Sequence, residues 1–83
     1  MYLGRIVCSV SGHDKGCFMV VVAEKDDGLL VCDGKLRPLA KPKFKNIKHI
    51  KFTEVYLKPE QLQTNKSIRK AIYGCMQGYK EEA

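Results

Sequence analysis

The side chains of this chain best equipped for covalent or metal chemistry are four cysteines and two histidines. A cysteine nucleophile needs a base within hydrogen-bond reach and a third group that orients the base. His13 and Cys17 stand four residues apart across a glycine-bounded turn. That spacing does not oblige them to face each other, and no orienting group follows in the pattern. Cys8, Cys17, Cys32 and Cys75 contain no C-x-x-C pair, and His13 and His49 are not at ligand spacing. Three of the four cysteines fall in predicted strands, where a free thiol behaves as a small apolar residue. All four are expected to be reduced structural thiols. Phosphate loops, dinucleotide fingerprints and metalloprotease patterns are absent from the sequence. The chain is expected not to be an enzyme and to use no cofactor.

What remains is cationic chemistry. The net charge is +6, and its distribution is uneven. Between Lys35 and Lys51 lie seven basic residues and no acidic one: Lys35, Arg37, Lys41, Lys43, Lys45, Lys48 and Lys51. Elsewhere eight basic residues meet nine acidic ones, so the whole excess belongs to one segment. Segregation of this kind is the footprint of a polyanion-binding face. In the extended backbone that Pro42 favours, alternate residues share a face. Lys41, Lys43 and Lys45 are therefore expected to point one way and Phe44 the other.

The elements that must position these residues are short strands. Leu3 to Val10 and Cys17 to Ala23 read as a hairpin around Ser11-Gly12-His13-Asp14-Lys15-Gly16. That turn has two glycines able to adopt positive φ and an aspartate able to bond its own backbone. Asp27-Gly28 and Asp33-Gly34 are further turn signals. They predict a fully apolar third strand at Leu29 to Cys32 and a fourth at Leu36 to Leu39. Asn46 to Phe52 is the fifth, with Lys48 and His49 interrupting its alternation. Strands this short and this closely spaced favour a small barrel, which removes exposed edges. Pro59-Glu60-Gln61 predicts a helical turn. A helix follows, capped by Thr64 or Asn65, with Ile68, Ile72, Met76 and Tyr79 on one face. Residues 1–57 are expected to form the barrel and residues 58–83 a linker and helix packed on it, within one domain. No apolar run approaches the roughly 20 residues needed to cross a bilayer, and no secretory pattern is visible. A cytoplasmic location without membrane attachment is expected.

The stretch from Gly4 to Val22 resembles the KOW motif of ribosomal and transcription-elongation proteins. The matching residues are Gly4, Ile6-Val7, Gly12, Asp14-Lys15-Gly16 and Val20-Val21-Val22. Extended through Val31-Cys32-Asp33-Gly34-Lys35-Leu36-Arg37 and through Lys45 to Ile50, the chain is similar to the large-subunit ribosomal KOW proteins of the fourteen-e type and their small bacterial relatives. The resemblance spans roughly the first two-thirds of the chain. It implies a mainly β fold, a small SH3-like β-barrel of about five strands with a C-terminal α-helix, and binding to RNA, ribosomal RNA above all.

On this reading the contact residues are Arg5, His13, Lys15, Lys35, Arg37, Lys41, Lys43, Lys45 and Lys48. The lysines would neutralise phosphates, the turn would offer backbone N–H groups, and Phe44 would be the ring for stacking. The expected state is a monomer bound to RNA, with a translation or transcription protein as a further partner. The chain lacks the long basic extensions of many ribosomal proteins, so transient association is expected as readily as permanent incorporation. The alternative is an SH3-like adaptor that docks an acidic transcription or translation partner through the Ile68/Ile72/Met76 face or a barrel edge.

Overall fold

The structure is a computed structural model and describes residues 2–78. Five strands run in the order β1 (Arg5–Ser9), β2 (Phe18–Glu24), β3 (Gly28–Cys32), β4 (Lys43–Asn46) and β5 (Ile50–Tyr56), followed by helix α1 (Asn65–Gly78). Two 3-10 turns intervene, Ile47–His49 between β4 and β5 and Pro59–Leu62 before the helix. The strands form one antiparallel sheet in the order β4-β3-β2-β1-β5. The expected mainly β architecture with a C-terminal helix is present. The sheet is open: no ladder joins β4 to β5 among the described residues.

Alternation along the strands gives the sheet two apolar faces. Ile6, Val20 and Cys32 point to one, where Leu57, Ile68 and Ile72 cover them. Thr64 caps α1, its Oγ1 accepting from the Ser67 N–H at 3.0 Å. The cap starts the helix with Ile68 and Ile72 turned inward, 0% and 6% exposed. Burying Ile68 contributes about 2 kcal/mol, enough to hold down a helix of this length. The Met76 side chain and Tyr79, the rest of the expected stripe, lie outside what the structure describes. On the opposite face Val7, Met19, Val21, Leu29 and Val31 are 0–1% exposed, and the residues packed on them are Tyr2, Ile50 and Phe52. No helix residue belongs to that second core.

Two of the expected strands are placed differently. Leu36 to Leu39 is not a strand. The Asp33 carboxylate accepts the N–H groups of Lys35 and Arg37 at 2.8 and 2.9 Å, and the Arg37 carbonyl accepts those of Asp33 and Gly34. These bonds fold residues 33–37 into a closed loop, so the chain returns to β3 only at Lys43. Gly34 sits at φ +78, and a Cβ there would come 2.4 Å from the Asn65 carbonyl oxygen. The loop is seated on the start of the helix, where Arg69 donates to the Gly34 carbonyl and Leu39 N–H to Asn65 Oδ1. The expected strand from Asn46 to Phe52 is broken as well. Asn46 Oδ1 accepts the Lys48 N–H and opens the 3-10 turn, which is why apolar alternation lapses at Lys48 and His49.

Candidate nucleic-acid interface

The turn between β1 and β2 is the part of the chain richest in polar contacts. Gly12 and Gly16 take φ +86 and +88, values that a side chain would resist. The Lys15, Gly16 and Cys17 N–H groups bond to the carbonyls of Gly12, Ser9 and Asp14. These three donors are consumed inside the turn and are not among the N–H groups it could offer outward. It presents side chains instead, with His13 and Lys15 exposed.

Asp14 does not bond its own backbone as expected. Its Oδ1 accepts from Ser9 Oγ at 2.9 Å and from Lys45 Nζ at 3.1 Å, and its Oδ2 lies 3.5 Å from Lys43 Nζ. Lys45 Nζ also donates to the Ser11 carbonyl at 3.0 Å. Burial alone would raise the carboxyl pKa. The Ser9 bond, the Lys45 bond and the charges of Lys45 and Lys43 outweigh it, holding Asp14 down to about 2. Ser11 Oγ meets His49 Nδ1 at 2.7 Å, and the Val10 N–H donates to the His49 carbonyl. The turn, β4 and the 3-10 turn are thereby tied into one unit, across the gap that the backbone ladder leaves open.

This unit gathers some of the predicted contact residues and separates others. Lys43 lies against the turn that carries His13 and Lys15, and exposed Lys48 follows on the 3-10 turn next to His49. On the other flank Lys35 joins Gly16 and Cys17 in lining a groove of about 600 Å³, walled by Phe18, Leu36, Ile72 and Tyr73. Arg37 is half-buried in its loop, and Lys41 is exposed beyond it. Lys45 shares a face with Lys43, as alternation requires, but that face points inward: Lys45 is 6% exposed. Its ammonium is committed to Asp14 and Ser11. Phe44 is exposed on the other face of β4, but it lines a hollow with Leu30, Glu24, Asp26, Asp27 and one cation, Lys25, a net acidic setting for a ring expected to meet RNA.

Arg5 stands at the far end of β1 from the turn. Its Nε donates to the Thr53 carbonyl at 2.6 Å, and its Nη1 to Tyr56 Oη at 3.3 Å. The guanidinium lies over the Phe52 ring at 5.1 Å and the Tyr56 ring at 5.3 Å. Phe52 in turn stacks on Tyr2, with centroids 4.9 Å apart. This aromatic cluster escaped the sequence reading. Tyr2, Phe52 and Tyr56 have no common spacing, and only the pairing of β1 with β5 assembles them.

All four cysteines are free thiols. Burial raises the pKa of Cys8, Cys32 and Cys75, with Cys32, also beside Asp33, pushed to about 11. Cys17, expected inside the second strand, precedes it and is exposed. Among the described residues no group of three or more His, Cys, Asp and Glu side chains is placed to hold a metal ion. No described helix is long and apolar enough to cross a membrane. Comparison with family models gives no match, and none of the curated proteins compared matches the chain.

Proposed function

We propose that this protein is a non-enzymatic RNA-binding module, an SH3-like barrel of the KOW kind that associates with ribosomal RNA and contacts phosphates through the rim of its first turn. The observation that carries the reading is the meeting of charge and fold. The segment holding the entire cationic excess packs against the Ser11–Gly16 turn from two sides, with Lys35 on one flank and Lys43 and Lys48 on the other. Support for the barrel comes from the strand order, the 3-10 turn joining β4 to β5, and a second core to which the helix contributes no residue. Closure through Lys45, Asp14 and Ser11 would stand in for the missing ladder.

Phosphate contacts release condensed counterions, so affinity falls as salt rises. With five phosphates neutralised, log affinity against log salt should have a slope of roughly −3.5 to −4.5. Replacing the exposed Lys15, Lys35 and Lys48 together by Gln should bring the slope about two units closer to zero. A titration of labelled ribosomal RNA fragments over a salt series reads this directly. An unchanged slope in the triple variant would remove the rim from the interface. Lys45 is left out of the variant because its loss would disturb folding rather than contact.

One observation favours a second reading, that of an adaptor for an acidic translation or transcription partner. Leu36 and Tyr73 are 75% and 64% exposed beside the groove that Lys35 and Arg69 flank. Of the helix face, Ile68 is fully buried and Ile72, 6% exposed, shows only at the wall of that groove. Leu36→Ser should abolish protein capture on the adaptor reading and leave RNA binding intact on the first.

A further inference from the structure

The pairing of β1 with β5 contains an irregularity that determines what Arg5 faces. Val7, Cys8 and Ser9 pair with Phe52, Lys51 and Ile50, a regular antiparallel register. Continued, that register would set Arg5 opposite Glu54 and make an ordinary cross-strand ion pair. Instead the register shifts by two residues and Arg5 stands opposite Tyr56. The shift is built into the side chains around it. Thr53, 4% exposed, donates from Oγ1 to the Ile6 carbonyl at 2.7 Å and accepts the Val55 N–H, while its own carbonyl takes the Arg5 Nε–H. A bulge of this kind re-aims a side chain. Here it makes Tyr56, rather than Glu54, the residue opposite the cation.

The outcome is a guanidinium fixed by a backbone carbonyl against two rings. One of those rings, Tyr56, keeps 52% of the residue's surface open. Glu24 Oε2 accepts the Tyr2 N–H at 2.7 Å, and exposed Glu54 and Lys58 lie two residues to either side of Tyr56. A half-exposed aromatic residue beside a fixed cation is what an unpaired base and its phosphate require. We propose that the Tyr56–Arg5 bulge is a stacking platform for one unpaired nucleotide of RNA, distinct from the phosphate-binding rim at the other end of β1. The proposal deepens the RNA reading and rests on it.

The test compares two probes, single-stranded oligoadenylate and the same strand paired with oligouridylate, by anisotropy of the labelled RNA. Tyr56→Leu keeps an apolar side chain and removes the ring, and Tyr56→Phe keeps the ring. Tyr56→Leu should weaken single-strand binding about tenfold, within the range of one lost stacking contact. It should leave the salt slope and duplex binding unchanged, and Tyr56→Phe should bind as wild type. The chain has no tryptophan, so tyrosine emission is visible, and the oligoadenylate-induced quenching should fall in Tyr56→Phe. Thermal melts of both variants verify that they fold. Wild-type affinity in a folded Tyr56→Leu protein, or equal losses on both probes, would overturn the platform while leaving the rim in place. Failure of the wild type to bind either probe while it binds ribosomal RNA fragments would overturn the platform alone, and failure on those fragments as well would overturn both.

Discussion

At one end of β1, Lys45 buries its ammonium against Asp14 and the Ser11 carbonyl; at the other, Arg5 holds its guanidinium between the Thr53 carbonyl and two aromatic rings. Both cations are fixed, but only the first is neutralised. A buried ammonium must be paired, because an unpaired charge in the interior is costly. A guanidinium over rings at a partly open surface keeps its charge and several donors available. None of the contacts described for Arg5 is with a carboxylate. The contrast teaches that fixing a cation and using it up are separate choices. The first end spends its lysine on architecture, and the second retains its arginine for a partner.

The largest effect that would sharpen this comparison is expected at Asp14. Asp14→Ala strands the buried Lys45 ammonium and should cost about 3 kcal/mol, the lower end for a broken buried pair, since the carboxylate retains slight exposure. Urea denaturation at neutral pH measures it. If the loss fell below about 1 kcal/mol, the pair would be an ordinary surface contact. Acid provides the next test. Asp14 is held at about 2 against an ordinary 3.8, so the folded state binds its proton less readily than the unfolded chain. Its stabilisation is present above about pH 4 and is lost as pH falls toward 2. The stability advantage of wild type over Asp14→Asn should therefore shrink across that interval. A constant difference would contradict the pairing. The smallest effect belongs to the other end. Arg5→Lys keeps the charge but loses the planar fork that reaches carbonyl, hydroxyl and rings together. It should cost about 1 kcal/mol or less in a thermal melt and still weaken single-strand binding with an unchanged salt slope.

Much of this arrangement could be read from the sequence, and the failures have physical causes. The first hairpin, the apolar third strand, a cap at Thr64 or Asn65 and the Ile68/Ile72 face followed from turn chemistry and periodicity. Asp33-Gly34 carried the same signal as a hairpin turn, yet the Asp33 carboxylate closed the chain into a loop. Local composition does not distinguish the two outcomes. Alternation correctly grouped Lys43 with Lys45, but it cannot say which face is inside. That depended on a carboxylate 31 residues away from Lys45. The Arg5 platform depended on a bulge, and a register shift leaves no mark in the hydrophobic pattern of either strand.

The position of β1 in the sheet has a further consequence, for the order of events in synthesis. β1 pairs on one side with β2, a neighbour across a short turn, and on the other with β5, whose residues come more than forty positions later. Its second edge therefore has no partner until the chain has been made as far as Tyr56, and non-local pairing of this kind forms late because its loop must close first. A nascent chain carrying only the first hairpin exposes the half-paired strand β1, the kind of unpaired edge from which misassembly begins. Arrival of β5 covers that edge and brings Phe52 and Tyr56 onto Arg5 in the same step, so completion of the sheet and assembly of the aromatic cluster are one event.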